Sequence, residues 1–447
     1  MSFTLTDLSQ LVLDRSISAI KATSDMVPAY GRGSRISPAT YGDIGVALTE
    51  NSILKRIGAS GRAEVVLDDA GRAVTGPVAI VDSTASSATR AENALWGLRE
   101  ELDLPGIVFT CQDEELIAEA VKLALKKLAK NIDPANRPDT PEAVDELVAA
   151  VAYAIDPTKA AVSSWTLPHR HVDGAVRHGL LAGTDDRVWD GHGNLYHRLS
   201  TAGPRALREL MLLSPNSVLH GFWLSSGAPV AHKLPRSVTT DVVAYDAHRM
   251  KYGATQMAVW EAHANVLTDA DGEVFIGKSQ KGFKKPSELN ISGVPSTAAN
   301  MITAGDIIGT STLSVGHLRR VFATSADMDD HQRDAATVAL SALAILGRLL
   351  TLEDGFLRSN CDLVDESTVW ESLGRGGAGD LLDLPTTSAE FMPVVADALD
   401  DARELGVFGS SADRAYVEMS PRQRNLHVTS YVQLSTAADR IAAEGEG

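Results

Sequence analysis

Cysteine, aromatic residues and long apolar runs are all scarce in this sequence of 447 residues. Cys111 and Cys361 are too few for a disulfide framework or a thiolate zinc site, so a reducing compartment is expected. The sequence has no run of about 18 apolar residues, and residues 1–7 lack a basic stretch that leads into an apolar one. We therefore expect a cytoplasmic protein that neither spans a membrane nor carries a secretion signal.

Positive charge is also in short supply. Lysine and arginine number 41 against 58 aspartate and glutamate, a net charge of -17, which argues against bulk attraction to nucleic acid or to an anionic membrane. The centre of the chain differs, because residues 161–300 contain 14 basic and 12 acidic residues and nine of the twelve histidines. Any binding of a polyanion is therefore expected to depend on this central region.

The composition is that of a globular protein, with 44% hydrophobic and 22% charged residues. A domain size of about 150 residues gives a prior of two or three structural units. Changes of texture suggest four segments: residues 1–112 as the N-terminal part of the core, 113–158 as a helical insertion, 159–365 as a central sheet-centred core with a basic hairpin loop, and 366–447 as an acidic region of helices and irregular chain.

Local patterns predict helices and strands in alternation. Apolar spacing predicts a helix over residues 5–25 and a mostly buried helix over 331–352. A hairpin is expected from residues 63–68 and 73–81 around the turn at 69–71, followed by a helix at about 86–102. Short β-branched runs predict further strands at residues 107–110, 162–166, 218–224, 237–245, 256–260, 274–276 and 302–313.

Residues 272–279 match the phosphate-loop pattern G-x-x-x-x-G-K-[ST], which would indicate ATP binding in the right context. A working loop follows a buried strand and opens a helix, whose amides hold the phosphates. Here strand-forming residues Val274–Ile276 lie inside the motif, and Gly282 and Pro286 follow where a helix should begin. A β-hairpin turned at residues 269–272 is the favoured interpretation, and a nucleotide-hydrolysing enzyme remains the alternative.

Metal sites receive little support from the sequence. Placing Gly272 at the sixth position of a calcium loop puts Leu267 and Lys278 where carboxylates are required. His192 and His197 lie in a glycine-rich segment, and no H-E-x-x-H motif occurs, so a metal-dependent hydrolase is a third and weaker reading. We expect no cofactor and no catalytic activity.

A basic loop stands out against the acidic background. Residues 278–285 contain four lysines and one phenylalanine, and Gly282 gives the backbone freedom to adapt. A charge run is often only a solvated face. Phosphate binding along a nucleic-acid strand is the competing reading, carried by Lys278, Lys281, Lys284 and Lys285.

Two motifs carry a resemblance to a known family. Residues 213–223 read LSPNSVLHGFW and residues 231–237 read AHKLPRS, and weaker blocks occur in order at Asp82–Glu92, His169–Arg177, Lys285–Glu288 and Arg358–Leu363. Together they resemble the backbone subunit of the type I-U (also called I-G) CRISPR Cascade complex, a member of the RAMP superfamily.

The resemblance implies an α+β fold with an RRM-like (ferredoxin-like) palm, a thumb hairpin and helical insertions. It also implies a subunit that binds CRISPR RNA and polymerises along it in a DNA-targeting complex for antiviral defence, with no chemistry of its own. The implied partners are CRISPR RNA, the target DNA strand through the guide, other copies of the chain and other Cascade subunits. Such a protein must grip backbone and shape rather than bases.

Within the resembling blocks, several cations are candidates for RNA phosphates. Lys233 and Arg236 flank Pro235 between two predicted strands, although Arg236 could instead pair with Asp241 or Asp246. A second set, for which a local ion pair with Asp173 is the alternative, opens a predicted short helix: His169, Arg170 and Arg177. Arg90 and Glu92 are expected to make structural caps and pairs.

Overall fold

The protein is described here by a computed structural model. It describes residues 3–41, 45–111, 113–130, 132, 137–159, 161–188, 195, 198–199, 205–224, 232–250, 254–255, 266–268, 274–276, 295–296, 301–375 and 377–436. The chain divides into two compact units. Unit 1 comprises residues 1–110, 158–250 and 300–418, and unit 2 comprises residues 111–157, 251–299 and 419–447.

The main sheet of unit 1 has eight strands: β1 (Ile17–Pro28), β2 (Leu48–Ile53), β3 (Thr75–Asp82), β4 (Val238–Tyr245), β5 (Asp306–Leu313), β6 (Phe356–Arg358), β7 (Cys361–Gly374) and β8 (Gly377–Leu382). Their order is β6-β7-β1-β5-β4-β3-β2, with β8 paired to β7, and every pairing is antiparallel.

The helices in the described part of the chain are α1 (Leu5–Leu13), α2 (Thr84–Gly97), α3 (Glu114–Leu128), α4 (Pro141–Ile155), α5 (Gly174–His178), α6 (Arg208–Leu213), α7 (Pro215–His220), α8 (Val315–Ala323), α9 (Asp330–Asp354), α10 (Ser388–Glu404) and α11 (Pro421–Thr436). Short 3-10 turns lie at Arg170–Val172 and Ser411–Asp413.

The centre of the sheet has the ferredoxin-like topology. Strands β7, β1, β5 and β4 stand side by side, which is the order 4-1-3-2 when they are numbered along the chain. Helix α2 lies in the chain between β1 and β4, and helix α9 lies between β5 and β7, so each β-α-β crossover is split by one intervening strand. The predicted α+β fold is therefore confirmed, with β2 and β3 added beside β4.

The main core lies between the sheet and its helices. Ile20 and Ala22 of β1 belong to the same buried cluster as the apolar residues of α2 and α9. Gly347 of α9 approaches Leu95 of α2 so closely that a β-carbon there would lie 3.4 Å from its side chain. Helix α9 is long and apolar enough to cross a membrane, but 78% of its most apolar window is buried inside the protein, as in a core helix.

The predicted helix over residues 5–25 is wrong in its second half. Helix α1 ends at Leu13, and the Asp14 carboxylate accepts a hydrogen bond from the Ser16 amide, which turns the chain into β1. The apolar pattern of residues 17–28 fits either structure. It becomes a strand because β5 and β7, about 300 residues later in the chain, bond it on both sides.

Other local predictions are corrected in part. The turn at residues 69–71 is present, but β3 then joins β2 and β4, while Ala63–Val65 pairs with Lys55–Ile57. Residues 162–166 form a turn with one isolated bridge, and residues 215–220 are helical before a strand at Phe222–Leu224. The strand predicted at 256–260 lies outside the described residues.

Unit 2 contains the helical insertion predicted at residues 113–158, which consists of two helices. Helices α3 and α4 begin at the caps Asp113 and Thr140, and their apolar faces form a separate core with α11 that includes Val121, Val151 and Val428. Short strands Val266–Thr268 and Val274–Ile276 pair antiparallel, as the predicted hairpin requires, and its turn at residues 269–272 lies outside the described residues.

Candidate nucleic-acid interface

A buried polar network underlies the LSPNSVLHG motif. The Glu92 carboxylate, on α2, accepts two hydrogen bonds from Arg170, from Nε and Nη2, each at 2.6 Å. It also accepts one from Asn216 Nδ2 at 2.7 Å. Arg170 Nη1 then donates to the Gly221 carbonyl oxygen at 3.1 Å, so one guanidinium joins α2 to the start of strand Phe222–Leu224.

The same network continues through buried hydroxyls. Ser214 Oγ donates to Asn216 Oδ1 at 2.9 Å, and Ser217 Oγ lies 2.9 Å from Ser214 Oγ. Because the Ser214 hydrogen is used on Asn216, Ser217 donates to Ser214, and His171 Nδ1 must donate to Ser217 Oγ over 2.7 Å. The His171 and Phe222 rings form a T-shaped pair whose centres lie 4.7 Å apart. These hydrogen-bonded residues form the buried scaffold: Glu92, Arg170, His171, Ser214, Asn216 and Ser217.

Burial shifts the pKa values of two titratable residues in and beside this scaffold. Burial raises the pKa of Glu92, against the lowering effect of Arg170, the Asn216 hydrogen bond and Arg236. Burial also lowers the pKa of His220 well below its ordinary value, helped by the positive charges of Arg170 and Arg236. His220 is therefore neutral at physiological pH, and its Nδ1 atom has no hydrogen-bond partner among the described residues.

The scaffold presents a small hairpin that carries an aromatic and a cation. Strand Phe222–Leu224 pairs with His232–Leu234, so Trp223 is directly opposite Lys233. Phe222, Leu224 and Leu234 are buried, whereas Trp223 is 68% exposed. Lys233 Nζ lies 5.4 Å from the centre of the Trp223 ring, a cation-π contact at the surface.

Arg236 follows on the same segment and is exposed. Within the described part of the chain it forms no ion pair, and the two aspartates considered as its partners have other neighbours: Asp246 bonds His248 at 3.0 Å, and Lys55 and Arg348 act on Asp241. Gly221 makes the close approach of this segment possible. Its φ is +75°, and a β-carbon there would lie 2.6 Å from the Leu234 carbonyl oxygen.

The second predicted set of cations is placed differently. The Arg170 guanidinium is occupied by Glu92 rather than by Asp173. The carboxylate of Asp173 caps α5 by accepting from the Ala175 amide, so that amide is already in use. His169 is exposed, and Arg177 is half-buried. Contact of these three residues with RNA remains a prediction.

The four lysines of the basic loop, Lys278, Lys281, Lys284 and Lys285, lie outside the described residues. The part of the phosphate-loop motif that is described, Val274–Ile276, is a paired strand, which does not form a phosphate cradle. Among the described residues, no group of three or more His, Cys, Asp or Glu could hold a metal ion.

The sheet face opposite the helices is partly covered. The hairpin of strands Lys55–Ile57 and Ala63–Val65 lies on it: Arg62 pairs with Glu371 of β7 at 2.8 Å and donates to the Gly379 carbonyl oxygen at 2.6 Å. Lys21 of β1 pairs with the same Glu371 at 2.7 Å, and Thr23 is fully buried. Over β1 and β7 this face is therefore not the bare sheet on which an RRM stacks bases.

The sequence matches a family of CRISPR-associated proteins. A family model described as CRISPR-associated protein GSU0053 (Cas_GSU0053) matches residues 20–249, which is more than half of the chain. The chain belongs to this family. The prediction of a CRISPR-associated protein is therefore confirmed, and the matched residues of this family member include the complete buried network and the Trp223–Lys233 hairpin.

Two other comparisons add less. No curated protein matches the chain. Among solved structures, a chain described as "CRISPR RNA-guided surveillance complex, pre-nicking" is similar over 92% of this chain and 99% of that chain, at 11% sequence identity and a TM-score of 0.27.

Sequence reasoning missed one residue of the candidate interface. Trp223 was part of the motif but was not named as a binding residue. Its signal is the alternation Phe222-Trp223-Leu224, which in a strand turns the middle side chain away from two buried neighbours. Arg90 was expected to be structural, and it is: it pairs with Asp82 and donates to Ser86 Oγ, while Glu92 takes Arg170.

Proposed function

We propose that this chain is a backbone subunit of a type I DNA-targeting surveillance complex and that it binds CRISPR RNA along its phosphate backbone. The observation that carries the proposal is the exposed Trp223–Lys233 pair with the unpaired Arg236 beside it, held by a buried scaffold in a chain of net charge -17. An aromatic face next to cations is the usual means of holding single strands without reading their sequence.

In this role the protein holds its guide in the same way whatever the spacer. Base-aromatic stacking is tolerant of sequence, and phosphate contacts carry no base information. The acidic remainder of the surface limits attachment of nucleic acid elsewhere. The chain contributes no catalysis in this proposal, and its partners are the guide RNA, the target strand paired to it, other subunits and further copies of itself.

The direct test is binding of a labelled single-stranded RNA to purified full-length protein, measured by fluorescence anisotropy at several salt concentrations. Trp223→Ala should cost about 1–3 kcal/mol, equivalent to about five- to more than hundredfold in affinity. Lys233→Ala with Arg236→Ala should reduce the slope of log affinity against log salt by about 1.4, which is about 0.7 for each phosphate contact.

Arg72→Ala provides the matched control, because Arg72 is exposed and paired only with its neighbour Asp68 across a turn. It should leave the salt slope at the wild-type value. RNAs of unrelated sequence should respond alike, and particle size should grow with RNA length if copies assemble along the strand. Equal affinities for wild type and the Trp223, Lys233 and Arg236 variants would contradict the proposed interface.

The basic loop is tested separately. If all four lysines bind phosphates, replacing them with alanine should flatten the salt slope by about 2.8, and partial engagement should flatten it by about 1 to 2. An unchanged slope, with the fold intact by circular dichroism, would return this loop to a solvated face and leave Lys233 and Arg236 as the binding cations.

A further inference from the structure

Helix α8 begins beside the segment that carries Lys233 and Arg236. The Ser314 amide donates to the Ser237 carbonyl oxygen at 2.8 Å, which fixes the start of α8 to this segment. One turn later, His317 Nε2 donates to the Pro235 carbonyl oxygen at 3.3 Å. The first turn of α8 therefore directly adjoins the proposed RNA interface.

The outward face of α8 is basic. Its buried residues, Val315, Leu318, Val321 and Phe322, lie on one side of the helix. With 3.6 residues per turn, Arg320 lies opposite that side, three residues and so about 4.5 Å along the axis from His317. Arg320 is exposed and has no ion pair within the described ranges.

A second exposed arginine, Arg15, lies in the loop to which α8 is attached. Arg319 donates to the carbonyl oxygens of Val12, Asp14 and Ile17 at 2.6, 2.8 and 2.5 Å, which attaches the helix to the loop before β1. That loop carries the exposed Arg15; burial lowers the pKa of Arg319, and the nearby positive charge of Arg15 adds to this lowering. Arg15 also forms no ion pair in the described part of the chain.

Three exposed arginines therefore lie on the segment, the helix and the loop that these contacts join: Arg236, Arg320 and Arg15. Asp14 is the single carboxylate that acts on Arg319 from this loop, and its one negative charge does not balance the positive charges of Arg15, Arg319 and Arg320. The remaining positive charge favours an anion at this surface.

We propose that Arg15 and Arg320 bind phosphates of the same RNA strand, so that the exposed face of α8 extends the binding track that starts at Lys233 and Arg236. This proposal rests on the proposed function, and it assigns to the N-terminal loop and α8 a contact that lies outside the two sequence motifs. A strand that follows this track crosses the end of the sheet rather than its covered face.

The experiment compares salt-dependent binding of a labelled single-stranded RNA by four full-length proteins. They are the wild type, Arg15→Ala/Arg320→Ala, Arg15→Lys/Arg320→Lys, and the control Arg56→Ala/Arg72→Ala, which removes the same charge from exposed positions on the N-terminal hairpins. The alanine double variant should lower the slope of log affinity against log salt by about 1.4, or about 0.7 per phosphate. The lysine variant and the control should keep the wild-type slope.

Three results would overturn the proposal: a wild-type slope in the alanine variant, an equal loss in the control, or a wild-type protein that binds no RNA. The last would also remove the proposed function. If the Lys233→Ala/Arg236→Ala protein loses its slope while Arg15→Ala/Arg320→Ala does not, the α8 track alone is wrong. Circular dichroism checks the fold, and the single variant Arg320→Ala serves if the double variant is unstable.

Discussion

The pairing of Glu92 with Arg170 makes a strong prediction about stability. Glu92→Ala removes the acceptor for two Arg170 hydrogen bonds and one from Asn216, and it leaves the charge of Arg170 with a side chain only 12% exposed. Breaking a buried ion pair from one side costs about 3–5 kcal/mol, since the remaining charge is neither solvated nor compensated. We expect the free energy of unfolding to fall by that amount, a large share of a typical total of about 5–15 kcal/mol.

Urea unfolding, followed by tryptophan fluorescence and extrapolated linearly, measures this loss. The double variant Glu92→Ala/Arg170→Ala should be more stable than the sum of the two single losses predicts, because it removes the orphaned charge together with its partner. Arg72→Ala is the matched control: it breaks the exposed Asp68–Arg72 pair, leaves the turn hydrogen bonds of Asp68 in place and should cost about 0–1 kcal/mol. A Glu92→Ala loss no larger than the Arg72→Ala loss would refute the reasoning.

Three further predictions concern Gly221, His220 and Lys278. Gly221→Ala should cost about 1–3 kcal/mol in urea unfolding, because φ +75° with ψ 166° suits only glycine, whereas Gly97→Ala, with open space around it, should not destabilise. The pKa of His220 is lowered well below its ordinary value of 6.5 in the folded protein, so the unfolded chain takes up a proton first as pH falls. Stability should therefore decline below pH 6.5 by up to about 1.4 kcal/mol per pH unit, and His220→Gln, but not His178→Gln at an exposed position, should remove this decline in thermal melts between neutral and mildly acid pH. Purified protein should not hydrolyse ATP in a phosphate-release assay, and Lys278→Ala should leave any background unchanged, because the described part of that motif is a strand; a Lys278-dependent signal would favour the nucleotide-hydrolysing alternative.

Elements with strong local signals were predictable from the sequence. Helix α9 extends only a few residues beyond its predicted bounds, because its capping box at Asp329 and Gln332 and its left-handed Gly355 lie in the sequence itself. The strands Val266–Thr268 and Val274–Ile276 also follow local propensity. In each case neighbouring residues carry enough information to decide the structure.

Elements fixed by distant partners were not predictable in this way. Strand β1 has an apolar pattern that fits a helix equally well, and only its pairing with β5 and β7 decides the outcome. Arg170 was separated from Glu92 by 78 residues, so its use as a structural partner could not be inferred from charge and position. The sequence also could not show that Arg15 and Arg320 lie near the proposed interface, because their placement depends on the hydrogen bonds between α8 and the loop before β1.

The net charge of the chain therefore says little about where it can bind a polyanion. Several arginines of unit 1 form ion pairs with carboxylates of the protein itself: Arg62 with Glu371, Arg90 and Arg358 with Asp82, and Arg170 with Glu92. The electrostatic surface that a strand of RNA meets is set by the cations left without such partners, and screening over about 8–10 Å at physiological salt makes distant acidic residues nearly irrelevant to them. A cluster of unpaired cations beside the exposed Trp223 can thus attract phosphates locally on a strongly acidic protein.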